Sequence, residues 1–186
     1  MGIIIEGMDN SGKSTLAAKI SDKLKMPIYH PGPAPVTVSA AEVHLQEQKD
    51  MSKCFLLFDR VTCMSDAVYN PERLSDLYLS YRKQMSNSNI VIYCRPPVRT
   101  IVDFSNHEVK DYDSEEHLKK VIDGMHEYIH RYDAMMNVMP HIKYDWTDDQ
   151  VNIQDFCNIL LKSMVIPGYY QKLQIGYIYD EDTFHV

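Results

Sequence analysis

The chain has 186 residues, 45% hydrophobic and 24% charged, with a formal net charge of -7. That length supports one domain with a sizeable core, and the composition is that of an ordinary globular protein, not a disordered or fibrous one. The acidic balance weighs against a partner held mainly through nucleic-acid phosphates, which favour a basic surface, although a local basic groove is compatible with it. In chain order, "GIIIEG" (2–7) is an apolar run closed by glycine and reads as a buried strand. "SGKSTLAAKISDKL" then carries Leu16, Ile20 and Leu24 at helical spacing, so a helix begins near Ser14. "MPIYH" (26–30) reads as a second short strand, whereas alternating prolines keep "PGPAP" (31–35) out of regular structure. A helix over Ala40 to Asp50 leads to a strand in "CFLLFDR" (54–60). "PERLSDLYLSYRKQM" (71–85) has the pattern of an amphipathic helix with Pro71 near its start. "NIVIYCR" (89–95) is the clearest buried strand, "HIKYDW" (141–146) the last one, and "VNIQDFCNILLKSM" (151–164) a helix with an apolar face.

Apolar strands separated by helices imply an α/β fold with a parallel sheet covered on both faces. The expected organisation is one domain over 1–165 and a C-terminal extension over 166–186, whose tyrosine-rich "GYYQKLQIGYIYDEDTFHV" shows no helical period. In such sheets ligands bind at the carboxyl ends of the strands. Gly7, Asp59 and Arg95 each follow an apolar run and are therefore expected at one edge. Cys54, Cys63, Cys94 and Cys157 form no C-x-x-C pair, and buried free thiols in a reducing cytoplasm are the expectation. No apolar run approaches membrane-spanning length, and a chain that enters a strand almost at once leaves no room for a signal peptide.

Gly7, Gly12, Lys13 and Ser14 fit G-x-x-x-x-G-K-[ST], with a strand before and a helix after. Backbone N–H groups of Met8, Asp9, Asn10, Ser11, Gly12, Lys13 and Ser14 would surround the phosphates of a donor, reinforced by the positive end of the helix. Lys13 would neutralise the outer phosphates and the Ser14 hydroxyl would ligate Mg2+, with Thr15 at the edge of the loop. ATP and Mg2+ are the implied cofactors. Asp59 and Arg60, at the end of a buried strand, add a carboxylate for Mg2+ or an acceptor proton and a guanidinium for phosphoryl oxygens. "HEYIH" (126–130) matches the H-E-x-x-H zinc pattern. The stripe Leu118, Val121, Ile122, Met125, Ile129, Tyr132 and Met136 leaves both histidines at a helix margin, so solvated helix residues are expected there.

"EGMDNSGKST" followed by "FDRVTCMSDAVY" resembles the thymidylate kinases and related deoxynucleoside kinases over roughly residues 2 to 165. With "IVIYCRPP", it is most similar to the small thymidylate-kinase-like proteins of bacteriophages. The resemblance implies a P-loop NTPase-type three-layer fold and a kinase acting on a thymidine-like deoxynucleotide or deoxynucleoside in the cytoplasm of a host cell. Catalysis would rest on Lys13, Asp59, Arg60 and Asp9, with Tyr29, Tyr69, Arg95 and Arg99 joining Arg60 around the acceptor. Tyr29, Phe58 and Tyr69 are the aromatic residues available to stack on a base. Three departures bear on that acceptor. Tyr29, His30, Pro31 and Gly32 stand where the family carries an Arg-Glu-Pro-Gly loop that holds the acceptor phosphate. Asn10 follows Asp9 where some members have an arginine, so a cation must come from Arg95, Arg99 or Lys110. The segment from Val102 to Ser114, at the family's lid, contains no arginine. An acceptor other than a free monophosphate fits, and phosphorylation of 5-hydroxymethyluracil within DNA is the alternative.

Overall fold

A computed structural model describes residues 1–32, 35, 37–107 and 115–173. Five parallel strands, β1 (Ile3–Glu6), β2 (Ile28–Tyr29), β3 (Leu57–Asp59), β4 (Ile90–Cys94) and β5 (Ile142–Tyr144), lie in the order β2-β3-β1-β4-β5. β1 occupies the centre, with Ile5 opposite Asp59 on one side and Glu6 opposite Tyr93 on the other. The helices are α1 (Lys13–Leu24), α2 (Val38–Met51), α3 (Thr62–Tyr69), α4 (Asp76–Ser88), α5 (Val98–His107), α6 (Glu115–Met136) and α7 (Ile153–Val165).

Strand side chains alternate between faces, and that alternation builds two cores. Ile3 and Ile5 pack with Leu16, Ile20, Phe156 and Leu160 on the α1 and α7 side. Ile4 points the other way, among Phe58, Val91, Met64, Tyr78 and Tyr132, where α3, α4 and α6 cover the sheet. Each of these isoleucines is fully buried, contributing about 2 kcal/mol by removal of apolar area from water. The three-layer α/β architecture expected from the strand and helix pattern is the one observed.

Local chemistry sets several boundaries differently from the sequence pattern. α2 starts at Val38 because the Thr37 hydroxyl accepts the Ala40 N–H at 3.2 Å. The expected helix from Pro71 is a 3-10 turn at Pro71–Arg73, and α4 starts anew where Ser75 caps the Tyr78 N–H. The short α3, which the apolar periodicity does not announce, carries Ser65, Asp66 and Tyr69 toward the site. Cys54 is exposed, in contrast to the other three cysteines. β3 begins only at Leu57, and the Cys54 N–H caps Met51 in the turn after α2.

Tyr170, beyond α7, is buried; its hydroxyl accepts the Val91 N–H at 3.1 Å and donates to the Pro140 carbonyl at 3.0 Å. The first part of the expected C-terminal extension is thus packed on β4. The remainder, 174–186, and residues 108–114 of the lid segment lie outside the described residues. Among the described residues no helix is long and apolar enough to cross a membrane.

Candidate active site at the phosphate loop

The loop between β1 and α1 turns where only glycine fits. Gly7 has φ +146°, and a Cβ there would lie 2.5 Å from the Cys94 carbonyl oxygen. Gly12 has φ +87°, and a Cβ there would lie 2.7 Å from the Trp146 ring. Gly12 caps α1 without a side-chain hydrogen bond, which leaves the first N–H groups of the helix for an anion. The Lys13 ammonium is buried and donates to the Met8 carbonyl at 2.5 Å. Burial, helped by the nearby Arg60 charge, pushes its pKa down to about 8. The Ser11 hydroxyl is buried without a hydrogen-bond partner among the described residues. A desolvated lysine, an unpartnered hydroxyl and a glycine-lined turn at a helix start together fit the phosphates of a nucleotide.

The facing wall comes from the end of β3. Asp59 accepts a hydrogen bond from the Ser14 hydroxyl at 3.0 Å and lies 3.4 Å from His30 Nδ1. Among the described residues no cluster of three or more His, Cys, Asp or Glu could hold a metal. The Ser14 and Asp59 oxygens instead fit Mg2+, which keeps several waters and takes one or two carboxylates plus substrate phosphates. Arg60 adopts a left-handed backbone, φ +76°, and its N–H donates to the Ile5 carbonyl at 3.0 Å. Its guanidinium donates to Asp9 at 2.5 Å and lies 5.4 Å from the centre of the Tyr69 ring. Asp9, Lys13, Ser14, His30, Asp59, Arg60 and Trp146 line a cavity of about 750 Å³.

The chain thus brings together most of the residues read from its sequence. Asn10, with φ +62°, and Thr15 line the same cavity, and Met8 is buried beneath it with Ile101, Met125 and Ile129. Tyr69 stands beside Arg60, its hydroxyl 3.5 Å from Asp9. Four expected acceptor contacts are elsewhere. Arg95 is held by Asp133 through bonds of 2.8 and 2.9 Å in a separate cleft of about 460 Å³ with His141 and Lys143. Arg99 projects from α5 with its side chain 93% exposed, 3.7 Å from Asp103, because it lies on the outer side of that helix. Phe58 is fully buried in the core, and Tyr29 packs on it at 5.5 Å between ring centres, outside the cavity lining. Lys110 lies outside the described residues. His126 and His130 are exposed on α6, and Glu127 between them is paired with Arg131.

Glu6, His30 and Trp146 are site features that motif reading passes over. Glu6 is a carboxylate ending an apolar run, the one sequence signal it carries. His30 was legible only as a departure from an arginine-bearing loop, and Trp146 only as the residue two past β5.

No protein-family model and no curated protein sequence matches the chain. Solved structures do. One is the YorR protein of Bacillus subtilis in complex with phosphorylated GDP, 20% identical, with a TM-score of 0.65 over 88% of this chain and 95% of that one. Deoxyadenosine kinase from M. mycoides, with dCMP and dCDP bound, is 19% identical, with a TM-score of 0.51 over 88% and 98%. Shikimate kinase from Acinetobacter baumannii in complex with shikimate is 14% identical, with a TM-score of 0.52 over 88% and 92%. The fold is that of P-loop kinases.

Proposed function

We propose that the chain is an ATP- and Mg2+-dependent phosphotransferase acting on a hydroxyl group of a thymidine-like deoxynucleoside. The observation that carries the reaction class is the grouping of buried Lys13, the Ser14–Asp59 pair and Arg60 around one cavity. Structural similarity to deoxyadenosine kinase supports a nucleoside acceptor, and the "FDR…S…Y" resemblance supports a thymidine-like base.

The placement of the cations supports that acceptor class. Transfer to a monophosphate needs a second positive grip for the acceptor's own charge. On the wall opposite the phosphate loop Arg60 is committed to the transferring group, and among the described residues the neighbouring His30, Pro31, Gly32 and Asp59 add no second lysine or arginine. Arg95 is bound to Asp133 and Arg99 points away. A neutral hydroxyl acceptor suits that wall. A hydroxymethyl group on a modified base in DNA presents the same chemistry and is the alternative.

Mg2+ bound at Ser14 and Asp59 would draw off negative charge developing on the phosphates. The chain's own residues do the rest. Lys13 and Arg60 hold the transferring group as the bond to the donor oxygen breaks and the bond to the acceptor oxygen forms. The hydroxyl proton leaves toward Asp9 or Asp59, the carboxylates that face the cavity.

An acceptor screen with γ-labelled ATP tests the reading. Thymidine, thymidine monophosphate and oligonucleotides carrying 5-hydroxymethyluracil are compared at fixed Mg·ATP. The proposal predicts label in thymidine monophosphate formed from thymidine. Strong preference for the free monophosphate acceptor would overturn the hydroxyl assignment, and label confined to the oligonucleotide would establish the DNA alternative.

A further inference from the structure

Beneath the phosphate loop lies a carboxylate that the proposed reaction does not use. Glu6, the last residue of β1, is 0% exposed. One oxygen accepts the Val61 N–H at 2.8 Å; the other accepts the Tyr132 hydroxyl at 3.2 Å and lies 3.5 Å from the Ser65 hydroxyl. No arginine or lysine pairs with it directly among the described residues. Buried carboxylates without an ion pair are costly, so one that persists at the centre of a sheet calls for a reason.

The geometry supplies one. Val61 directly follows Arg60, which sits in a left-handed backbone that arginine adopts only under constraint. The turn is pinned to β1 at two consecutive amides. The Ile5 carbonyl takes the Arg60 N–H, and the Glu6 carboxylate takes the next N–H. We propose that Glu6 is a positioning residue for phosphoryl transfer, holding through the Val61 amide the strained turn that aims Arg60 into the cavity. The inference rests on the phosphotransferase reading.

A negative acceptor holds an N–H more strongly than a neutral one, so the ionised form is the effective one. Burial raises the Glu6 pKa to about 7, partly offset by Arg60, the Val61 N–H, Lys13 and Tyr132. The charged and titratable groups around it are Arg60 after β3, Lys13 on α1, Cys63 and Tyr69 on α3, Cys94 on β4 and Tyr132 on α6. Turnover should therefore rise through neutral pH as Glu6 ionises.

The test uses Glu6→Gln, Tyr132→Phe and Arg60→Lys in the full chain. ADP formation from Mg·ATP is followed from pH 6 to pH 7.5, below the range in which Lys13, with its pKa of about 8, loses its charge, with thymidine as probe acceptor. Mg·ATP and Mg·ADP affinities are read in parallel from the fluorescence of Trp146, the only tryptophan in the chain. The parent should gain about fivefold in turnover, and in preference for Mg·ATP over Mg·ADP, across neutral pH. Glu6→Gln should be flat within about twofold at the lower level. Tyr132→Phe removes a donor that favours the charged form, so the midpoint should move to higher pH. With Arg60→Lys already present, Glu6→Gln should add less than about twofold. A parent-like pH limb in Glu6→Gln, or an equal loss with and without Arg60→Lys, overturns the proposal. Should Glu6→Gln not fold, an unmoved midpoint in Tyr132→Phe overturns it alone. None of these results touches the phosphotransferase reading, which falls only if Lys13→Ala turns over like the parent.

Discussion

Glu6 also sets a measurable pH dependence of stability. Its pKa is about 7 in the folded chain against 4.5 for the free group. The native state therefore holds a proton that the unfolded chain releases between those values. Stability from this group is present below about pH 4.5 and is lost as pH rises toward 7, with a lower plateau above. A difference of about 2.5 pH units corresponds to about 3 kcal/mol, of which some 2–3 kcal/mol falls between pH 5 and pH 8. Replacing Glu6 by Gln removes the titration and leaves a neutral acceptor for the Val61 N–H. Urea unfolding of parent and Glu6→Gln at both pH values reads the effect as a difference of differences, which cancels the other titrating groups. For a chain of this length the corresponding change in melting temperature is about 5–10 °C. Parallel stability-versus-pH curves for the two proteins would refute the assignment of Glu6 as a buried carboxylate titrating near neutrality. Taken with the turnover prediction, the ionised form that holds Arg60 in place is also the less stable one, a trade-off common where a site stores strain.

Gly12→Ala would force a side chain onto a positive-φ residue 2.7 Å from the Trp146 ring, so Mg·ATP affinity should fall at least about tenfold while far-UV circular dichroism is unchanged. Arg95→Ala should cost about 1–2 kcal/mol in denaturant unfolding, because Asp133 loses both its bonds to that guanidinium, yet leave the acceptor KM within about twofold. A large rise in KM would restore Arg95 to the acceptor site. Chelation with EDTA should abolish turnover, Mg2+ should restore it, and His126→Ala should stay within about twofold of the parent, since His126 is exposed on α6. Stoichiometric zinc lost together with activity in that variant would reverse the reading of "HEYIH".

The donor half of the site was legible because its chemistry is local. Gly7, Gly12, Lys13 and Ser14 sit within one turn, and their spacing alone fixes how a loop can cradle phosphates. The sheet was legible because buried parallel strands are continuous apolar runs, and Asp59 ends one of them with Arg60 next. The acceptor half was not, because it depends on long-range partners. Arg95 follows a buried strand just as Arg60 follows another, and nothing nearby in sequence reveals that Asp133, on α6, takes up its guanidinium. Glu6 escaped for the same reason. Its donors come from Val61 in the turn after β3, Ser65 on α3 and Tyr132 on α6, all far along the chain. Capping hydroxyls at Thr37 and Ser75, rather than periodicity, decided where two helices begin.

Replacement of Lys13 by alanine tests the central claim most directly. The ammonium is buried at the start of α1 and donates to the Met8 carbonyl across the loop, so it is placed to meet a phosphate and little else. Transfer of the labelled γ-phosphoryl group from Mg·ATP should fall by at least about a thousandfold, since charge stabilisation is lost from the transferring group. The variant should keep the far-UV circular dichroism of the parent. Turnover within tenfold of the parent, in a folded variant, would contradict the account of this cavity as the donor site of a phosphotransferase.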